Sequence, residues 1–176
     1  MNIIEKFKDK AKQLKERNLM NEGATEAQIQ EFEEVMNIKL PQIMRDFFLA
    51  NNGGCFADNS WDKKEILDPE ERGTIVWNSN YFLSLEEIAD AYNCGKYSSM
   101  DFQEREDEDE SGKRYIPIIH TAGQENLVWC ASEDGSTEIL DAFHEYFADE
   151  WEVLYNSFEN LLEAYMEQEG NIETIA

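Results

Sequence analysis

Histidine occurs twice, proline three times and cysteine three times in 176 residues, and basic side chains number 15 against 39 acidic ones. Each scarcity removes a class of function. With His120 and His144 alone, there is little material for a hydrolytic centre, which needs a nucleophile, a base and an orienting group. Cys55, Cys94 and Cys130 form no CxxC pair and leave at least one thiol unpaired, so neither a disulfide framework nor a zinc site is supported. No apolar run approaches the roughly 18 residues of a membrane-spanning helix, and the opening Met1-Asn2-Ile3-Ile4-Glu5-Lys6 lacks the apolar core of a signal peptide. A cytoplasmic protein is expected. The net charge of −24 repels nucleic acid and anionic membrane, so neither is expected as a partner, whereas basic proteins are attracted. Acidic surface also serves solubility alone, and charge by itself does not choose between the two.

What is present suffices for a core. Hydrophobic residues make up 41% and aromatic residues 12% of the chain, enough for one domain of ordinary size. From Met1 to Asn18 the chain carries six Lys or Arg and three Asp or Glu, leaving nine basic and 36 acidic side chains for the rest. Ile3, Ile4, Phe7, Ala11 and Leu14 recur at spacings of three and four. Residues 1–20 are therefore expected to hold a basic amphipathic helix, either docked on the body or a partly mobile arm, with docking favoured because its apolar stripe needs cover.

Residues 21–170 read as an α+β domain, followed by a short tail, 171–176. Thr25 with Gln28 forms a capping-box signature ahead of a helix whose inward face is Ile29, Phe32, Val35 and Met36. Asn37 suits its left-handed terminus. Pro41 opens a third helix, with Ile43, Met44, Phe47 and Phe48 inward, and Asn51-Asn52-Gly53-Gly54 stops it. Thr74-Ile75-Val76-Trp77 and Tyr81-Phe82-Leu83 read as strands, and Ser84 with Glu87 caps a short helix. The segment Asp101 to Glu110 places seven acids beside one arginine, so residues 101–112 are expected to be a solvated, mobile acidic loop. Tyr115-Ile116-Pro117-Ile118-Ile119, Leu127 to Cys130 and Thr137 to Leu140 form an antiparallel meander. An aromatic stretch, Phe143, Tyr146, Phe147 and Trp151, links it to a last helix capped by Ser157, with Phe158, Leu161, Leu162, Tyr165 and Met166 inward.

The order of these pieces resembles the SUKH superfamily, the Smi/Knr group of cell-wall regulators and bacterial immunity proteins. The resemblance is carried by Ile29-x-x-Phe32-Glu33, by Ile38-x-Leu40-Pro41 leading to Phe47-Phe48-Leu49 and Asn51-Asn52-Gly53-Gly54, by Leu83 to Ile88, by Tyr115-Ile116-Pro117-Ile118, and by Ser157-Phe158-Glu159-x-Leu161-Leu162. It implies helices packed on a mainly antiparallel sheet and, for bacterial members, an immunity role in which a partner toxin is bound and neutralised. Toxins of this kind often act on nucleic acid and are then basic, which gives the acidic body a purpose. The basic leading helix and the acidic segment depart from the family core, and Gln124 stands where a glycine is expected after Ala122-Gly123.

The remaining chemistry points away from catalysis. His120 and His144 are expected in structural roles, and carboxylate pairs are too abundant to mark an acid–base site. Asp107 to Glu110 lacks the spaced ligands and glycine of a calcium loop, and Gly53-Gly54 precedes no phosphate-binding helix, so neither metal nor cofactor is expected. For partner binding, Asp107, Glu108, Asp109, Glu110, Glu133 and Asp134 are the electrostatic candidates. Trp61 and Trp151 are candidate anchors, with core packing as the competing role of each. The alternative to an immunity protein is a regulatory or scaffolding module that docks through its basic first helix.

Overall fold

A computed structural model describes residues 1–174; Ile175 and Ala176, the end of the expected tail, lie outside the described residues. In chain order the elements are α1 (Ile3–Gln13), β1 (Asn18–Met20), α2 (Glu26–Met36), α3 (Gln42–Ala50), β2 (Gly54–Phe56), α4 (Lys63–Leu67), α5 (Arg72–Trp77), β3 (Tyr81–Phe82), α6 (Leu85–Tyr92), α7 (Phe102–Glu108), β4 (Arg114–His120), β5 (Asn126–Ala131), β6 (Ile139–Ala142), β7 (Glu152–Tyr155) and α8 (Phe158–Glu167). The seven strands form one sheet in the order of the chain, and every adjacent pair is antiparallel. The α+β class and the antiparallel sheet inferred from the sequence are those of the structure.

Local chemistry sets the helix ends. Thr25 accepts from the Gln28 amide at 3.1 Å while the Gln28 side chain accepts from the Thr25 amide at 2.8 Å; Ser84 and Glu87 repeat the arrangement at α6. Asn37 closes α2 at φ +49°, the left-handed conformation its short polar side chain tolerates. Gly53 and Gly54 hold φ values of +78° and +116°. A Cβ on Gly54 would stand 2.4 Å from the Met20 Cα, so this glycine lets β1 and β2 meet.

α1 is docked. Phe7 is fully buried and stacks 5.2 Å from Phe56, with Phe47 and Tyr165 also around it. Phe82 and Phe158 complete this aromatic core between the sheet and α1, α3 and α8. At its centre the Tyr165 hydroxyl donates to the Asn80 carbonyl at 2.6 Å and accepts from the Phe56 amide at 3.2 Å. Neighbouring residues of a strand face opposite ways, so Tyr81 leaves this cluster and meets Tyr97 on the other face. β4 and β5 are buried almost throughout, because both faces of the sheet are covered.

Several elements differ from the sequence reading. The first helix ends at Gln13, and Asn18–Met20 is the edge strand of the sheet. Thr74 to Trp77 is the end of α5, not a strand; Ile75 is buried there and the Asn78 side chain donates to the Thr74 carbonyl at 2.8 Å. Val35, expected inward, is 66% exposed. β7 replaces a stretch expected only as a linker. The acidic segment is the largest correction: Phe102–Glu108 is helical, and Phe102 is fully buried. Within the expected tail Ile172 is buried, and its carbonyl accepts from the Asn80 side-chain amide at 3.4 Å.

Candidate functional site

α7 is capped by Asp101, whose carboxylate accepts from the Glu104 amide at 3.1 Å, so one of the seven acids of the segment serves as the N-cap. Three further ties fix it. Arg105 donates to the His144 carbonyl at 2.7 Å and to the Tyr146 carbonyl at 3.1 Å. Glu106 accepts from the Tyr115 amide at 2.9 Å and from the Tyr92 hydroxyl, and burial pushes its carboxyl above the usual carboxylate range. Asp109 accepts from the Tyr115 hydroxyl and from Ser111, which hold it below that range.

With those groups committed, the remaining acids point outward, Glu108 standing 3.9 Å from the Arg105 guanidinium. Asp107, Glu108 and Glu110 are exposed, and Glu108, Asp109 and Glu110 border an open cleft of about 590 Å³ completed by Arg105, Phe147, Ala148 and Asp149. Phe147 is 59% exposed and the neighbouring Tyr146 is 44% exposed. The Phe147 amide donates to Glu150 at 2.9 Å across the 3-10 turn Ala148–Glu150, which sets the ring at the mouth of the cleft without covering it. Large apolar groups left in water beside an excess of acidic charge are the composition of a protein-binding patch.

The other sequence candidates divide. Glu133 and Asp134 are exposed on the β5–β6 turn, outside the cleft; the pairing of Arg114 with Ala131 sets that turn beside the Asp109–Lys113 connection. Asp134 is spent on the turn, accepting from the Ser136 amide at 2.8 Å and from Ser132, which keep its carboxyl low. Trp151 is only 6% exposed: its indole donates to the Phe143 carbonyl at 3.0 Å and its ring meets Tyr115 edge-on at 5.1 Å. It takes the core role and not that of an anchor. Trp61 is half-buried and packs against the core. Of the aromatics in the linking stretch, Tyr146 and Phe147 are the exposed ones, and its sequence shows the rings but not which of them face water.

The motif residues have structural work. Leu40 is buried and its amide donates to Glu33 at 2.8 Å; Pro41 stands one residue ahead of α3; Phe47 lies at the centre of the aromatic core. Asn52 accepts from the Leu85 amide at 2.9 Å, tying the turn after α3 to the start of α6. Pro117 lies at a bulge between β4 and β5, Ser157 caps α8 through the Asn160 amide at 3.1 Å, and the Phe158 amide donates to Thr137 at 3.0 Å. Gln124 adopts φ +67° without being glycine, and its side chain donates to the Trp77 carbonyl at 3.2 Å.

The two histidines do not share a site. His120 is 2% exposed, its ring 4.5 Å from that of Trp77, and burial with Lys96 nearby pushes it down to about 4. It is neutral at pH 7 and lacks a partner for Nδ1 among the described residues. His144 is half-exposed and its Nδ1 meets the buried Glu125 carboxylate. Cys55 is buried and its thiol is pushed up to about 12, which leaves it protonated and unreactive. No helix among the described residues is long and apolar enough to cross a membrane, and no cluster of His, Cys, Asp and Glu among them has the arrangement of a metal site.

Comparison with known families matches residues 23–164 to the model of the SMI1 / KNR4 family (SUKH-1). The match takes in α2 through most of α8, includes α7, and leaves α1 and β1 outside. No curated protein matches the chain.

Proposed function

The chain belongs to the SMI1/KNR4 family (SUKH-1), whose members are protein-interaction modules, and from that premise we propose that it is a cytoplasmic immunity protein that binds and neutralises a basic toxin domain. The observation that carries this reading is the cleft between α7 and the 3-10 turn. There Glu108, Glu110 and Asp149 border the exposed Phe147, while the one cation in the lining, Arg105, bonds two backbone carbonyls and stands 3.9 Å from Glu108, leaving Glu110 and Asp149 without a cation in the cleft. The acids would steer a basic surface into contact, and the desolvated ring would supply most of the affinity. Inhibition then follows from occupancy: no group of the immunity protein need react, and neither metal nor cofactor enters. A nuclease-type toxin suits the charge best, because a surface built to hold phosphates presents the lysines and arginines this cleft attracts.

Co-expression with toxin domains encoded beside the gene tests the reading. Growth should be rescued and a stoichiometric complex recovered; Glu108→Lys with Glu110→Lys and Asp149→Lys should abolish both while leaving the fold intact. Absence of rescue and of complex with the unaltered chain would remove the reading's main support.

A regulatory or scaffolding role keeps one specific feature in its favour, the row of exposed lysines Lys6, Lys8 and Lys12 on α1. Because Phe7 of that helix is part of the core, removing residues 1–18 would unfold the protein. Reversing the three lysines to glutamate is the cleaner discriminator. Lost partner recruitment with toxin neutralisation retained would favour the scaffold.

A further inference from the structure

A second surface, separate from the α7 cleft, has the form of a slot for a single apolar side chain. α2 and α6 pack against each other, and between them lies a groove of about 240 Å³. Its apolar lining is Phe32 and Leu85, both nearly buried, with Ala89 and the exposed Val35, and Gln28 and Asn52 add amide groups. A cavity of about 150 Å³ holds a benzene-sized ring, so this groove has room for one large aliphatic or aromatic side chain. Val35 decides its character. The residue occupies an apolar position of the α2 repeat yet is 66% exposed, so the apolar stripe of α2 runs past the edge of the core and ends in water.

The rim is acidic. Glu31 of α2 and Glu86 of α6 are both exposed, both border the groove, and neither has an ion-pair or hydrogen-bond partner among the described residues. Elsewhere on the same helix Glu26 and Glu33 are matched by Arg45. In the groove lining the Asn52 side-chain Oδ1 is taken by the Leu85 amide, while its Nδ2 hydrogens have no acceptor among the described residues. One apolar slot, two unmatched carboxylates on opposite helices and the free amide donors of Asn52 and Gln28 define a complementary ligand: a helix with an apolar stripe, one large side chain projecting from it, and lysines or arginines on both flanks.

We propose that the α2–α6 groove docks a basic amphipathic helix of a partner protein, seating one apolar side chain between Phe32, Val35 and Leu85 with cations against Glu31 and Glu86. The groove does not depend on the α7 cleft, so the two can be tested apart.

The probe is a fluorescein-labelled, lysine-rich helical peptide carrying a single phenylalanine on its apolar stripe, titrated against the full chain at physiological ionic strength by anisotropy. A sibling peptide has that phenylalanine replaced by alanine. The unaltered protein should bind the phenylalanine peptide at least tenfold more tightly than its sibling. Val35→Asp should weaken binding at least tenfold; because it adds negative charge, its loss reports the apolar contact and not attraction. Glu31→Lys with Glu86→Lys should weaken it similarly, and all these positions are exposed, so folding should persist by circular dichroism. Glu108→Lys with Glu110→Lys should leave the peptide affinity within twofold. Equal binding of the two peptides, or no effect of Val35→Asp, overturns the proposal. So does a self-associated protein in sedimentation that Val35→Asp renders monomeric, which would assign the groove to a second copy of this chain.

Discussion

Arg105 donates to the His144 carbonyl at 2.7 Å, fastening the acidic helix to the segment that carries Phe147. A second bond from the same guanidinium, to Tyr146, makes the pairing a fork. The charge of α7 therefore stands at a fixed place beside an exposed ring, where a free acidic loop would spread it over many positions. Arg105→Ala should lower global stability by about 2 kcal/mol, the scale of hydrogen bonds to a charged group. Amide exchange across Phe102–Glu108 should accelerate more than elsewhere, as measured by hydrogen-exchange mass spectrometry.

The aromatic residues of the linking stretch should separate into two kinds. Phe147 is 59% exposed, so Phe147→Ala should change stability by less than about 0.5 kcal/mol. Its effect on partner affinity should reach about 2 kcal/mol, roughly thirtyfold in dissociation constant. Trp151→Ala should do the reverse, costing about 3–5 kcal/mol of stability because the ring is buried against Tyr115. Chemical denaturation and calorimetric titration of both variants check the pair.

Tyr165→Phe removes a hydroxyl that bridges the Asn80 carbonyl and the Phe56 amide inside the core. Two backbone groups lose a partner where water has no access. A loss of about 1–3 kcal/mol is expected, with an unchanged denaturant slope because the fold and its buried surface persist.

His120 predicts a pH dependence of stability. Its folded value of about 4 lies below the ordinary 6.5, so between these limits the unfolded chain binds more protons than the folded one. Its contribution is complete above about pH 6.5 and is lost as pH falls toward about 4, by at most about 3 kcal/mol. The difference between the unaltered chain and His120→Phe, measured by urea denaturation across that range, should show this slope; a flat difference would assign the histidine an accessible, ordinary environment.

The parts of the fold governed by local chemistry could be read from the sequence. Thr25 with Gln28 and Ser84 with Glu87 announce helix starts because both partners lie within one turn, and the meander shows because alternation and turn residues coincide. α5 could not be read: Ile75, Val76 and Trp77 favour strands locally, and the helix depends on burying Ile75 against distant elements. α7 was hidden for the same reason. Its acids look unfoldable by composition, while Phe102 in the core, Arg105 on two carbonyls and Glu106 on Tyr115 supply contacts that no run of charges reveals. β7 has Val153 in water at 46% exposure, which blurs its pattern. The acids of the candidate site were legible as charge; the exposed Phe147 beside them was not, because four aromatics in one stretch look alike until the fold assigns each a side.

Stopped-flow association with the toxin domain encoded beside the gene, followed across ionic strength, tests the central claim most directly. The rate constant should fall steeply as salt rises, and Glu108→Lys with Glu110→Lys and Asp149→Lys should slow association at least tenfold at low salt with thermal stability retained. A rate independent of salt, or the same rate for the reversed protein, would contradict recognition through the acidic cleft.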